Sequence, residues 1–197
     1  MKYTDTDIDG VTVVDIEPHN DARGFFARSF CADEFAKHGL DSTVAQVNYA
    51  YNHGRGTLRG LHRQVPPHAE AKLVRCTRGA IFAVAVDVRP ESETFSKHMT
   101  VELTAENRRA LFLPPYVAHG FQTLADDTEV IYHTSGPYEP TAEEGFRWDE
   151  PEFSISWPLP ITLISDKDAG WPLLENWGAP RDEPDVRRRS AACADGM

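Results

Sequence analysis

The run AIFAVAVDV at residues 80–88 indicates the fold class more clearly than any other stretch of the chain. Its period of two and its Val, Ile and Phe residues are typical of a β-strand. Similar short runs occur at residues 11–16, 97–103, 108–114 and 128–134, with the sequences VTVVDI, KHMTVEL, RRALFLP and TEVIYHT. Gly, Pro, Asn or Asp separates these runs at the spacing found in antiparallel sandwiches and barrels, so we expect an all-β protein.

Helices contribute little to this pattern. We expect one early helix over residues 32–38, where Asp33 can cap the start and Gly39 can end the helix. From residue 166 onward, scattered Pro and Trp residues give way to the charged run RDEPDVRRRSAACADGM, which has no periodicity. The sequence therefore predicts one domain over residues 1–175 and a flexible polar tail over residues 176–197.

Composition and charge argue against some classes of function. The 197 residues carry a formal charge of −11, which argues against a protein that coats nucleic acid, because phosphate neutralisation needs a basic surface. No stretch approaches the roughly 20 apolar residues of a membrane span, and the start MKYTDTDIDG lacks a signal-peptide pattern. Three widely spaced cysteines form neither a zinc motif nor a disulfide framework. We expect a cytoplasmic protein that does not associate with membranes.

Polar residues that can carry chemistry concentrate in GTLRGLHRQVPPHAEAKLVR at residues 56–75. This segment contains Arg59, His62, Gln64, His68, Glu70 and Lys72. Because residues two apart in a strand share a face, His62 and Gln64 are expected to point the same way. Two further segments, LFLPPYVAHGFQTL and EVIYHTSGPYEP, place His119, Tyr132 and Tyr138 near strands. Taken one at a time, such residues are more often packing or rim residues than functional ones.

A metal-dependent cupin enzyme is one interpretation of this pattern. A small β-barrel with two His-containing segments about fifty residues apart offers His62, His68, Glu70 and His119 as ligands. The spacing argues against this reading, because six positions and two prolines separate His62 from His68.

Taken in order, several segments resemble the dTDP-4-dehydrorhamnose 3,5-epimerase family. They are DARGFFAR (21–28), QVN (46–48), GTLRGLH (56–62), AKLVR (71–75), VAVDVRPES (84–92), AHGF (118–121), EVIY (129–132), residues 140–148, ISWP (155–158) and ISDKD (164–168). The resemblance covers residues 10 to 174 and implies a dimeric, cupin-like jelly-roll β-barrel that uses no metal or other cofactor. We expect a homodimer in which the strand near residues 11–16 adds to a neighbour's sheet edge.

The resemblance implies acid–base epimerisation of a nucleotide-linked, dTDP-type 4-keto-6-deoxyhexose at C3, C5 or both. His62 would be the base that removes a proton next to the ketone, and Tyr132 would be the acid on the opposite face. Asp168 would pair with the base histidine, and Lys72 would face the developing oxyanion. Such chemistry needs a positioned base and stabilisation of the enolate, because a C–H group beside a ketone is a weak acid.

The resemblance also implies binding residues for a nucleoside-diphosphate sugar. Around the sugar and the diphosphate these are Arg59, His119 and Lys167; at the nucleotide end they are Arg23, Phe26, Gln46, Asn48 and Glu143, with Tyr138 stacking on the base. We count Arg28 with them, although this family usually has an acidic residue there. Further departures are Ala83 in place of an aspartate, and the segment after QVN, which is one residue longer and has Ala50 and Asn52 instead of the usual serines. These departures suit a relative that acts on a different deoxysugar. The other two interpretations are the metal-dependent cupin enzyme and a non-catalytic barrel that binds a sugar nucleotide.

Overall fold

A computed structural model describes residues 1–176, and the predicted tail from residue 177 onward lies outside the described residues. The strands are β1 (Lys2–Asp5), β2 (Thr12–Asp15), β3 (His19–Asp21), β4 (Gly24–Phe26), β5 (Gln46–Asn52), β6 (Leu58–Gln64), β7 (Lys72–Arg78), β8 (Ala80–Asp87), β9 (His98–Thr104), β10 (Ala110–Leu113), β11 (Val117–Thr123), β12 (Thr128–Thr134) and β13 (Glu143–Gly145). The α-helices are α1 (Ala32–Lys37) and α2 (Asp166–Ala169). Short 3-10 helices occupy residues 140–142, 151–153 and 174–176.

Two antiparallel sheets make up the body of the protein. The first has the strand order β1-β2-β10-β7-β12-β5, and the second has the order β13-β6-β11-β8-β9. Strands that are distant in sequence lie side by side in both sheets, as in double-sheet jelly rolls. The predicted all-β jelly-roll fold with a few short helices is therefore confirmed.

The hydrophobic core lies between the two sheets. Val74, Leu111 and Val130 from the first sheet pack in one buried cluster with Ala83 and Leu103 from the second. Strand β11 is buried along its whole length, which explains why its sequence shows no polar alternation. Val74 and Val130 of this cluster also line a cavity between the two sheets.

Strand β2 does not have the free edge that we expected. It pairs with β1 on one side and with β10 on the other, so both of its edges are already used within the chain. Within one chain, β1 and β5 are the edge strands of the six-stranded sheet. Addition of residues 11–16 to a neighbour's sheet was therefore the wrong expectation.

The early helix forms, but its cap differs from the prediction. Helix α1 begins after Cys31, whose extended backbone makes it the N-cap residue, and no side chain caps the first turn. Asp33 instead lies inside the first turn, where a negative charge favours the helix N-terminus. Gly39 has φ +72°, which suits the predicted helix stop. None of the helices among residues 1–176 has the length and apolar character needed to span a membrane.

Candidate active site

A cavity of about 680 Å³ opens between the two sheets, and its walls carry most of the residues singled out in the sequence. Eleven of the fourteen predicted site residues line it: Gln46, Asn48, Arg59, His62, Lys72, His119, Tyr132, Tyr138, Glu143, Lys167 and Asp168. They come from both sheets, from helix α2 and from the segment before β13. The jelly roll thus gathers residues that lie more than one hundred positions apart in the chain.

Strand register explains how one wall of the cavity forms. Tyr132 on β12 is directly opposite Asn48 on β5 and Val74 on β7, so these three side chains form a row on the inner face. A second row joins Thr134 on β12 to Gln46 on β5 and Lys72 on β7. The period of two along β12 thus brings the predicted acid and the predicted oxyanion cation to the same wall.

The opposite wall depends on a close approach between β6 and β11. Gly60 has φ +106°, and a Cβ atom at this position would lie 2.6 Å from both Gly120 Cα and His119 O. Only glycine fits there, because a side chain would collide with the neighbouring backbone. Two residues further along, His62 is paired with His119 across the strands, so both imidazoles face the cavity.

His62 is held in its neutral form. The pKa of His62 lies well below its ordinary value, first because burial disfavours the charged ring and then because Lys72 is nearby. About 29% of the side chain stays exposed, toward the cavity that the ring lines. A neutral imidazole at pH 7 has an available lone pair, which is what a general base needs. From the sequence alone we would assign His62 an unperturbed pKa, whereas its surroundings in the folded chain lower it.

Asp168 does not pair with His62 in the way that was expected. Its Oδ2 atom accepts from Gly60 N at 3.3 Å, and its Oδ1 atom accepts from the indole of Trp171 at 3.4 Å. The carboxylate that lies 4.0 Å from His62 Nε2 belongs instead to Glu143. Asp168 still acts on His62 through space, since its charge raises the pKa of the ring.

Glu143 links three groups at the cavity mouth. Its carboxylate accepts from Tyr138 OH at 2.6 Å and from Lys167 Nζ at 2.9 Å, and it approaches His62. The bond from Tyr138 OH to Glu143 also helps raise the pKa of this phenol to about 12. Gln46 accepts from the backbone N–H of Tyr138 at 3.0 Å. These bonds fix the exposed ring of Tyr138 beside the opening of the cavity.

Asn52 supports the site residue Arg59 in a way that the sequence did not reveal. Its Oδ1 atom accepts from Arg59 Nε at 2.7 Å, and its Nδ2 atom donates to the carbonyls of Ala50 and Thr128. Asn52 is buried, so it is a fixed support that aims the guanidinium of Arg59. Asn52 stood out in the sequence because it departs from the family pattern. Ala50 departs from that pattern as well, and it lines the cavity.

Arg23, Phe26 and Arg28 lie outside the cavity of the single chain. Strands β3 and β4 form a separate two-stranded hairpin, on which Phe26 is 75% exposed. Arg28 is paired with Glu34 on helix α1 at 2.6 Å. These three residues therefore do not line the cavity of one chain, and their contacts with substrate stay a prediction.

The structure does not support the hypothesis of a metal-dependent cupin enzyme. Within residues 1–176, His, Cys, Asp and Glu side chains form no group of three or more that could hold a metal ion. The four candidate ligands His62, His68, Glu70 and His119 therefore do not converge on one point. His68 is also absent from the cavity lining.

Replacing Lys72 by methionine is expected to raise the pKa of His62 toward its ordinary value of about 6.5. The reason is that the positive charge of Lys72 disfavours protonation of the ring, second only to burial. An NMR titration of the His62 ring protons in the free protein measures this pKa without any turnover. The matched control is Lys37→Met on the exposed side of α1, which should leave the His62 titration in place. An unchanged pKa in Lys72→Met would contradict the assigned proximity.

Comparisons with known proteins agree on one family. The model of the dTDP-4-dehydrorhamnose 3,5-epimerase family matches residues 5–176. A dTDP-4-dehydrorhamnose 3,5-epimerase of Sinorhizobium fredii is 41% identical over 175 residues, covering 88% of this chain and 90% of that protein. A dTDP-4-dehydrorhamnose 3-epimerase of Streptomyces niveus is 36% identical over 175 residues, covering 88% of this chain and 84% of the relative.

Solved structures show the same likeness. The crystal structure of dTDP-4-dehydrorhamnose 3,5-epimerase from Bacillus anthracis, with TDP and pyrophosphate bound, superposes with a TM-score of 0.85 and 36% sequence identity. The match covers 88% of this chain and 99% of that one. The two proteins thus share the jelly-roll architecture over nearly all of the described residues.

Proposed function

The chain belongs to the dTDP-4-dehydrorhamnose 3,5-epimerase family and is an isomerase, and from this premise we propose the chemistry of its cavity. The substrate is a dTDP-linked 4-keto-6-deoxyhexose, and the reaction inverts a carbon next to the ketone. His62 removes the proton, Lys72 stabilises the enolate oxygen, and Tyr132 returns a proton to the opposite face. The chain's own side chains supply each of these groups.

One observation carries this proposal. His62 on β6 and Tyr132 on β12 line the same cavity but belong to different sheets, so they reach a bound sugar from opposite walls. Inversion requires this arrangement, because the proton must leave from one face of the carbon and return to the other. Burial raises the pKa of Tyr132, so the phenol keeps its proton until the enolate forms.

Lys72 fits the oxyanion role by charge and place. Its side chain lines the cavity on the same wall as Tyr132 and is only 16% exposed. A charge shielded from water interacts more strongly with a developing oxyanion than a solvated one does. His119, on the wall of His62, adds a second group toward the substrate, since its buried Nε2 has no hydrogen-bond partner among residues 1–176.

Incubation of the protein with dTDP-4-keto-6-deoxyglucose in D2O tests the proposed reaction. We expect deuterium at C3, C5 or both, together with an epimer, both located by NMR. The label shows which carbon exchanges its proton, and the configuration of the epimer shows which carbon is inverted, which separates action like that of the Streptomyces niveus relative from action at two carbons. Recovery of unlabelled substrate at high enzyme concentration would reject the proposal.

We further propose that a second copy of the chain completes the nucleotide end of the site. The hairpin of β3 and β4 exposes Phe25 and Phe26, and the edge strand β5 exposes Val47, Tyr49 and Tyr51 on its outer face. Such a row of exposed apolar side chains on an edge strand suits contact with another chain. A homodimer would bring Arg23 and Phe26 of the partner subunit to the mouth of the cavity, beside Tyr138.

Mixed dimers provide the test. Phe26→Ala damages the donated hairpin and His62→Ala damages the cavity, so each variant alone should have low activity. After subunit exchange, a mixed dimer contains one cavity with intact His62 facing one intact hairpin, and activity should reappear. Activity that stays at the sum of the two variants would show that the hairpin serves its own chain or no site at all. Light scattering that gave only monomers would reject the dimer as well.

A further inference from the structure

Glu70 is a cavity residue to which the proposed reaction assigns no role. It precedes β7, and only 4% of its side-chain surface is exposed. Its Oε1 atom lies 3.3 Å from Lys72 Nζ. Its Oε2 atom is buried and has no hydrogen-bond partner among the described residues. Glu70 thus presents one occupied and one unoccupied acceptor to a cavity in which a sugar is expected to bind.

One side-chain donor, the amide of Gln64, lies near Glu70 and lowers the pKa of its carboxyl. The amide nitrogen of Gln64, which acts on Glu70 from nearby, already donates to the carbonyls of His68 and Pro137 at 3.1 Å each. Burial raises the pKa of Glu70, which reflects the cost of keeping this carboxylate away from water. A buried acceptor without a donor is unfavourable, and a ligand that brings a donor removes this cost.

We propose that Glu70 determines substrate specificity by accepting a hydrogen bond, at Oε2, from the sugar hydroxyl next to the ketone. This inference rests on the proposed function, in which Lys72 faces the ketone oxygen. The hydroxyl on the neighbouring carbon C3 lies beside that oxygen, and Glu70 lies beside Lys72. Glu70 can therefore accept a hydrogen bond from the hydroxyl while Lys72 donates one to the ketone oxygen.

The test compares two substrates, dTDP-4-keto-6-deoxyglucose and its 3-deoxy counterpart, which lacks only the hydroxyl in question. Proton exchange in D2O at the carbons next to the ketone gives kcat/KM for each. We expect the unmodified protein to prefer the hydroxylated sugar by about 10- to 100-fold, the range for one hydrogen bond to a charged group. In Glu70→Ala this ratio should fall to about one, mainly because the hydroxylated sugar reacts less well.

Glu70→Gln is the matched control, because its amide oxygen still accepts a hydrogen bond and should preserve part of the preference. If Glu70→Ala does not fold, as judged by loss of TDP binding, Glu70→Met fills the same volume without an acceptor and gives the same readout. Equal slowing of both substrates, with the preference intact, would show that Glu70 acts only by holding Lys72 and would overturn the proposal. Absence of exchange in the unmodified protein would instead reject the proposed reaction itself.

Discussion

Replacing His62 by alanine is expected to slow proton exchange next to the ketone by roughly 10²- to 10⁴-fold, the usual contribution of a general base. Among the groups of the cavity, His62 is the one we assign to remove the proton. Burial and the charge of Lys72 keep its ring neutral, so the unmodified protein has a base ready at pH 7. The measurement is the rate of deuterium incorporation from D2O into dTDP-4-keto-6-deoxyglucose, followed by NMR.

His68→Ala is the matched control for this prediction. It removes an imidazole from the same segment of the chain, but His68 does not line the cavity, and exchange should continue near the rate of the unmodified protein. TDP affinity, measured for both variants, checks that the nucleotide end is intact. Exchange at an undiminished rate in His62→Ala would remove this residue from the mechanism, and a loss limited to TDP binding would reassign it to substrate binding.

The strands that alternate in sequence were predictable because each carries its own pattern, whereas β11, which is buried along its whole length, has no such alternation. The alternation of TEVIYHT predicted β12 with its correct bounds, since one face of this strand lines the interior and the other does not. Which strands lie at the edges of the sheets was not predictable from such patterns. Whether β2 has a free side depends on β1 and β10, and β10 lies almost one hundred residues away in sequence. Local patterns contain no information about such pairing.

Most residues of the candidate site were predictable, but their hydrogen-bond partners were less so. Resemblance and residue type predicted eleven of the residues that line the cavity. The partners of these residues depend on distances between strands and helix α2, and here the prediction for Asp168 differs: its carboxylate is held by Gly60 and Trp171. The support of Arg59 by Asn52 and the lowered pKa of His62 are likewise products of burial, which only the folded chain determines.

Tyr132 is the residue whose role can be separated from that of His62. The two side chains approach the cavity from different sheets, so a substrate bound between them has one face toward each. If Tyr132 only delivers the inverting proton, its loss leaves the first half of the reaction intact. His62 can then remove a proton and return one to the same face, with Lys72 still stabilising the enolate.

Tyr132→Phe is therefore expected to retain exchange while inversion falls by about 10²-fold or more, the usual effect of losing a general acid. Phenylalanine keeps the ring between Asn48 and Val74 and deletes only the hydroxyl, so the wall of the cavity should persist. In D2O, recovered substrate should carry deuterium while little epimer forms. Tyr116→Phe, which deletes a hydroxyl outside the cavity lining, should change neither process. Normal inversion in Tyr132→Phe would point to another proton donor, and joint loss of exchange and inversion would place Tyr132 in substrate positioning or in the first step.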